Sequence, residues 1–264
     1  MGAPRTWRKI LLILLVAAVP VAAHAQELQE QMEDLIERGF YNSAARVVGP
    51  ELVEREPENA YAHYLYADAL YLTGALEAAR VSLDTAFELA AEPTAAMLHL
   101  RGLLLAQSGD ALAGAQQVRE AFSMSGEYEH AMDWGRLAWQ SASLDEALAA
   151  FQAAAGTPRG ERSSWPHLNR GRILSFLGRE DEAITALQEA IRVFEAHDTG
   201  ETRPSPAYVE AYYRIGEIYE RRGLEQESES LLELALDHYR AALTGDPNYG
   251  PAARALEELS GRLL

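Results

Sequence analysis

Ser164–Phe194, SWPHLNRGRILSFLGREDEAITALQEAIRVF, is the stretch whose reading decides the fold. Leu168, Gly171, Leu174, Ser175 and Leu177 fall at helical spacing in its first half. Ala183, Leu187, Ala190 and Ile191 do the same in its second half. Gly178 stands between them, so the stretch reads as two short amphipathic helices meeting at a tight turn. Gly171 and Ala183 are small where two helix backbones have to approach within about 8–10 Å.

The same device recurs along the chain. Turn positions Gly39, Gly74, Gly109, Ala142, Gly178 and Gly223 are 35, 35, 33, 36 and 45 residues apart. Seven residues before each turn sit Met32, Ala67, Gly102, Gly135, Gly171 and Gly216. Five residues after sit Ala44, Ala79, Gly114, Ala147, Ala183 and Ser228. Twelve after, from the second copy on, sit Ala86, Ala121, Ala154, Ala190 and Ala235. Unrelated amphipathic helices would not hold three small columns in phase.

In period and in the order small residue, turn, Ala, large residue, Ala, the unit resembles the tetratricopeptide repeat. Gly171, Gly178, Ala183, Leu187 and Ala190 carry that pattern here, while the family's first-helix Trp and closing Pro are missing from this copy. The resemblance implies an all-α fold, a right-handed α-solenoid of about six helix pairs plus a C-terminal capping helix. In such an array each repeat touches only its neighbours and the core is a ribbon.

Read in order, residues 1–25 form an expected export leader. Arg5, Arg8 and Lys9 precede the unbroken apolar run Ile10–Val19, and Ala23 and Ala25 give small residues two apart. Cleavage is expected after Ala25. Ten apolar residues are too few to span a hydrocarbon core of roughly 30 Å as a helix. Residues 26–196 hold repeats one to five, 197–206 (HDTGETRPSP) a loop expected to be a flexible joint, and 207–248 the sixth repeat. The first repeat is degenerate, with Met32 at the small position and Gly49-Pro50 cutting across its second helix. Ala235 and the series Ala235, Tyr239, Ala242 and Pro247 fit two registers seven residues apart, so the sixth repeat's second helix is expected to be about two turns longer. Residues 249–264, with Ala252, Ala255, Leu256, Leu259 and Leu263 on one face, form the capping helix.

Composition narrows the function. Asp and Glu number 40 against 23 Lys and Arg, a formal charge of −17. Such a surface repels nucleic acid and lipid phosphates at long range. The sequence holds no Cys, which excludes disulfides and thiolate metal sites. Its seven His include no pair four apart and no HExxH, and no nucleophile elbow, phosphate loop or dinucleotide fingerprint is present. No enzyme, no cofactor and no metal are expected.

A binding role has more behind it. In the family the first helices line a concave groove, and four positions of each helix point into it. Residue by residue, the resemblance places Tyr61, Tyr64, Asp68 and Tyr71 there in the second copy, and Ala96, His99, Leu103 and Ala106 in the third. The fourth supplies Glu129, Met132, Arg136 and Trp139, the fifth Trp165, Leu168, Arg172 and Ser175, and the sixth Glu210, Tyr213, Glu217 and Glu220. Of these, Tyr64, Asp68, Tyr71, His99, Arg136, Trp139, Trp165, Arg172 and Tyr213 are the candidate partner-binding residues, because aromatics and Arg dominate interface energetics. The competing reading is that the aromatics are inter-repeat core and that the Arg side chains pair with the many carboxylates. A family carboxylate clamp is incomplete here: Asn169 and Arg214 occupy two of its positions, but Arg136 replaces its usual Asn, and Met132 and Glu210 replace its cations. The expected function is a periplasmic or secreted adaptor holding a protein or peptide partner in the groove. The alternative is a structural envelope-assembly factor acting through convex or end contacts.

Overall fold

The computed structural model describes residues 24–197 and 204–263. The expected leader, but for His24 and Ala25, and all of the expected loop except its ends lie outside those residues. The described residues are all-α, without a strand, in the helix-pair architecture of an α-solenoid. They fall into two compact units that divide between Ser108 and Gly109.

In the first unit, helix α1 covers residues 24–37. A continuous helical path follows: α2 (Tyr41–Ser43), a π-helical turn (Ala44–Val48) and α3 (Gly49–Arg55). Then come α4 (Ala60–Leu72), α5 (Leu76–Leu89) and α6 (Ala95–Gln107). Gly49-Pro50 does not cut the helix as the sequence suggests. The Gly49 N–H reaches back five residues to the Ala44 carbonyl, and the widened turn accommodates a proline ring that has no N–H to give. Gly49 is required there for another reason: a Cβ would lie 2.3 Å from the Tyr66 ring. Met32, at the position where the other copies are small, is fully buried in the same core as Ala44, Leu52, Ala62 and Leu65.

In the second unit, α7 (Ala111–Ser125), α8 (Tyr128–Gln140) and α9 (Leu144–Ala155) lead through a 3-10 turn at Gly160–Arg162 to α10 (Trp165–Phe176). Helices α11 (Glu180–His197), α12 (Pro206–Glu225), α13 (Glu229–Gly245) and α14 (Gly250–Leu263) complete it. Within this unit each helix packs on the next, so every helix between the first and the last shares its apolar stripe with two neighbours. The small columns are where the sequence places them. Gly135 meets the ring of Phe151, and Gly171 meets Leu187, at distances that leave no room for a Cβ. Ala121, Ala154, Ala190 and Ala235 are fully buried.

Five of the six expected turns adopt the left-handed backbone. Gly39, Gly74, Gly109 and Gly178 have φ of +78°, +79°, +100° and +72°, and Ala142 takes the same region at +59°. The sixth does not. Gly223 is buried within α12, and the turn falls at Glu227, with φ +50°. The extra length also lies elsewhere than expected: α12 has 20 residues against 12 in α10, while α13 has 17 against 18 in α11, so the first arm of the sixth pair is lengthened and the second is not. In the fifth pair the first helix gives small Gly171 away from the turn and large Leu174 near it, while the second gives Leu187 and then small Ala183. In the sixth, Gly216 receives Tyr239 away from the turn, and near it Gly223 receives Leu232, each at 2.5 Å from a built Cβ. Small and large have changed arms in the layer beside the turn. A small residue at Gly223 therefore imitates the turn position that lies four residues further on.

Candidate functional site

The second unit brings Arg136, Trp139 and Arg172 together. With Met132, Asp133, Phe151 and Asn169 they line a concavity of about 440 Å³ on the face carrying α8 and α10. The spacing builds it: Met132, Arg136 and Trp139 lie three and four apart on α8 and share one face, and Arg172 presents the equivalent face of α10. The Arg172 guanidinium sits 4.9 Å from the centre of the Trp139 ring, a cation–π contact between the two helices. Trp139 is half-buried, so one part of the ring packs and the rest stays open.

The charges are arranged as a ladder. Arg136, 54% exposed, donates from Nε and Nη2 to Asp133 Oδ1 at 3.1 and 2.8 Å. Arg172 lies 3.6 Å from Glu210 Oε1 on α12, and Arg172 Nη1 donates to Asn169 Oδ1 at 3.4 Å. Glu210 is shared, since Arg214 Nη2 reaches it at 3.0 Å while Arg214 Nη1 donates to Glu217 at 2.9 Å. Tyr213 donates its hydroxyl to Glu217 at 2.7 Å and packs against Tyr239 and Tyr249, with ring centres 5.8 and 5.6 Å apart. Burial, and then the Glu217 hydrogen bond, push the Tyr213 hydroxyl well above its usual range, so it is a fixed donor at neutral pH. The face thus runs from an apolar, cationic end at Trp139 and Arg136 to an end at α12 where each Arg already has a Glu.

Trp165 is not among the residues lining the concavity; it stands 41% exposed at the start of α10. Leu168, carried to the groove by the family pattern, is fully buried core. Asp133 and Phe151 take part without having been singled out. The first was legible as an i, i+3 partner of Arg136. The second belongs to α9 and reaches the concavity past Gly135, through the opening left by the missing Cβ.

In the first unit, Tyr64 and Tyr71 on α4 are partly buried and pack against the hydrophobic core, the core reading for aromatics at these positions. Tyr61, 43% exposed, stacks on Tyr64 with ring centres 5.9 Å apart and donates to Glu33 at 2.7 Å. Asp68, also on α4, is mostly shielded. Burial pushes its carboxyl up to about 6, opposed by the charge of His99 on α6. Tyr61, Asp68 and His99 form a polar patch of their own within that unit.

Among the described residues, no cluster of His, Asp and Glu is arranged to hold a metal ion, and no helix is long and apolar enough to cross a membrane.

A family model described as "Tetratricopeptide repeat" matches residues 30–96 and 168–250, more than half of the chain. "Protein KINESIN LIGHT CHAIN-RELATED 1" of Arabidopsis thaliana is 38% identical over 93 residues, which is 35% of this chain and 14% of that protein. The chain therefore spans a small part of that curated relative. Among solved structures, YrrB, described as "a TPR protein with an unusual peptide-binding site", aligns with a TM-score of 0.60 at 20% identity, covering 81% of this chain and 100% of that one. The pilF protein of Pseudomonas aeruginosa aligns with a TM-score of 0.63 at 14% identity over 92% of this chain and 99% of that one. PilW, described as a "widely conserved type IV pilus biogenesis factor", gives 0.65 at 11% identity over 88% and 98%. At these identities the likeness is one of fold.

Proposed function

Because the chain belongs to the tetratricopeptide repeat family, we propose that it is a non-catalytic adaptor that seats a peptide segment or protein surface on the face carrying α8, α10 and α12. The observation that supports this most is Arg172 held over Trp139 at the edge of a concavity with a second Arg beside it. An exposed i, i+3 pair such as Arg136–Asp133 contributes only about 0.5 kcal/mol, so a carboxylate of the partner exchanges with it at little cost. Trp139 and Met132 then supply apolar contact next to that anchor. Glu210 and Glu217, at the other end of the ladder, are held by Arg172, Arg214 and Tyr213 and fix that wall of the face. The side chains are held by helix packing and by one another, so little ordering entropy opposes binding.

Selection of a random peptide library against the protein, followed by calorimetric titration of an enriched peptide, tests the reading. Trp139→Ala or Arg172→Gln is expected to weaken that peptide by tenfold or more while the circular dichroism melt stays in place. An undiminished affinity in both variants contradicts it. The N-terminal sequence supports placing this adaptor in the periplasm or outside the cell. N-terminal sequencing of protein from those fractions is then expected to begin at Gln26, and full-length cytoplasmic protein would contradict the placement.

The alternative, an assembly factor working through other surfaces, has one observation in its favour. Phe176, 76% exposed, and Leu177, 39% exposed, stand side by side at the α10–α11 turn, away from the concavity.

A further inference from the structure

A second depression of about 510 Å³ lies between α9 and α11, with α10 contributing to its lining, and its chemistry differs from that of the first. Leu148 and Ala149 of α9, Leu174 of α10 and Ala186 of α11 make it partly apolar. Its ionic groups are Arg170, Arg179, Glu182 and Glu189. Three of these are already consumed. Arg179 grips Glu182 with two hydrogen bonds, from Nε at 2.7 Å and from Nη2 at 2.6 Å. Glu189 accepts from Arg192 Nε at 2.8 Å and again from its Nη2. Arg170 is left over. It is half-buried, and among the described residues it makes no hydrogen bond and no ion pair; Glu182 and Glu189 act on it only as charges at a distance. The two cations and two carboxylates of the lining balance, so the depression is neutral within a chain of formal charge −17, and Arg170 is the one charge in it without a direct partner.

A second polar group of α10 is unsatisfied nearby. His167, one helical turn before Arg170, is 9% exposed, and its Nδ1 has no hydrogen-bond partner. It feels the same Glu189, Arg170 and Arg192 charges, and burial lowers its pKa below the usual value, so it stays neutral. A partly desolvated guanidinium without a partner costs stability, and a carboxylate seated on it recovers that cost through two parallel hydrogen bonds. The volume is within the range of ligand sites, roughly 300–1,000 Å³.

We propose that this depression is a binding site for a carboxylate with a small apolar body, the acid lying on Arg170 and the body against Leu148, Leu174 and Ala186. The shared chemistry is a monoanion flanked by hydrocarbon, supplied either by a free organic acid or by the C-terminus of an apolar peptide. The site is independent of the Trp139–Arg172 concavity.

Calorimetric titration with 3-phenylpropanoate, with the acetylated peptide Ala-Leu-Phe bearing a free carboxylate, and with the amides of both, tests the assignment. Saturable binding of either acid, at least tenfold tighter than its amide, is expected. Binding by the small acid alone identifies a metabolite-like ligand, and binding by the peptide alone identifies a chain terminus; both support the site. Arg170→Met is expected to weaken binding tenfold or more, and Trp139→Ala to leave it unchanged. Ala149→Trp, at an exposed position on the rim, closes the mouth without touching the core and is expected to do the same as Arg170→Met, so the test survives if Arg170→Met fails to fold. The absence of saturable binding by both acids, equal binding by the amides, or full affinity in Ala149→Trp would overturn the proposal.

Discussion

Replacing Glu227 with Gly separates the observed register of the sixth helix pair from the one its small residues suggest. Glu227 is exposed and has φ +50°, the left-handed region. That conformation costs a non-Gly residue about 1–2 kcal/mol. Glycine removes the cost and returns about 0.4–1 kcal/mol as extra entropy of the unfolded chain. No buried contact is lost, so Glu227→Gly is expected to stabilise by about 0.7 kcal/mol. For a unit of this size that raises the melting temperature by about 2 °C. In the register with the turn at Gly223, residue 227 stands in the first turn of a helix. Glycine there destabilises by about 1 kcal/mol, and the melt moves down by a similar amount. Far-UV circular dichroism during heating, with urea titration alongside, reads the sign directly. A lower melting temperature for Glu227→Gly would refute the placement of the turn. Gly178→Ala serves as the reference, since φ +72° there predicts, by the same two terms with the sign reversed, a net loss of about 0.7 kcal/mol.

Gly135→Ala puts a methyl group 2.7 Å from the ring of Phe151, which is 1% exposed. Overpacking outweighs the gain in helix propensity, and a net loss of about 1–2 kcal/mol in urea unfolding is expected; an unchanged midpoint would show that the ring moves aside freely. Asp68, whose carboxyl is raised by burial from 3.8 to about 6, binds its proton more tightly in the folded state. Its contribution to stability is therefore complete at acid pH and is lost as pH rises through about 4 to 6. Asp68→Asn is expected to be more stable than wild type by about 2 kcal/mol at pH 8, with the difference vanishing towards pH 4. A difference independent of pH in parallel urea titrations would contradict the burial of that charge.

Periodicity carried most of the fold because a helix-pair array repeats one close approach. Wherever Gly or Ala marks that approach and a left-handed residue follows it, as at Gly135 with Ala142 and at Gly171 with Gly178, sequence distance maps onto space. It failed at Gly223, because large and small residues are exchanged between α12 and α13 in one layer, and a column of small residues records size without recording which arm supplies it. The site was legible to the extent that spacing within one helix determines a shared face, as for Met132, Arg136 and Trp139. Partners supplied by other helices were not. Glu210 of α12 takes Arg172 of α10, and no spacing within either helix announces that pair, whereas its i, i+4 pair with Arg214 on the same helix was legible. Arg170 was invisible for the opposite reason: its distinction is the partner it lacks, while its neighbours Glu182 and Glu189 are taken by Arg179 and Arg192.

Site-specific photocrosslinking tests the central claim most directly. p-Benzoylphenylalanine is placed singly at Met132, inside the Trp139–Arg172 concavity, and at Phe176, at the exposed α10–α11 turn. Cells are irradiated and adducts are identified by mass spectrometry. The account predicts a discrete partner adduct from position 132 that is lost when Trp139→Ala is added, and none from position 176. A partner adduct from 176 with none from 132 would contradict it and give the role to the turn surface instead.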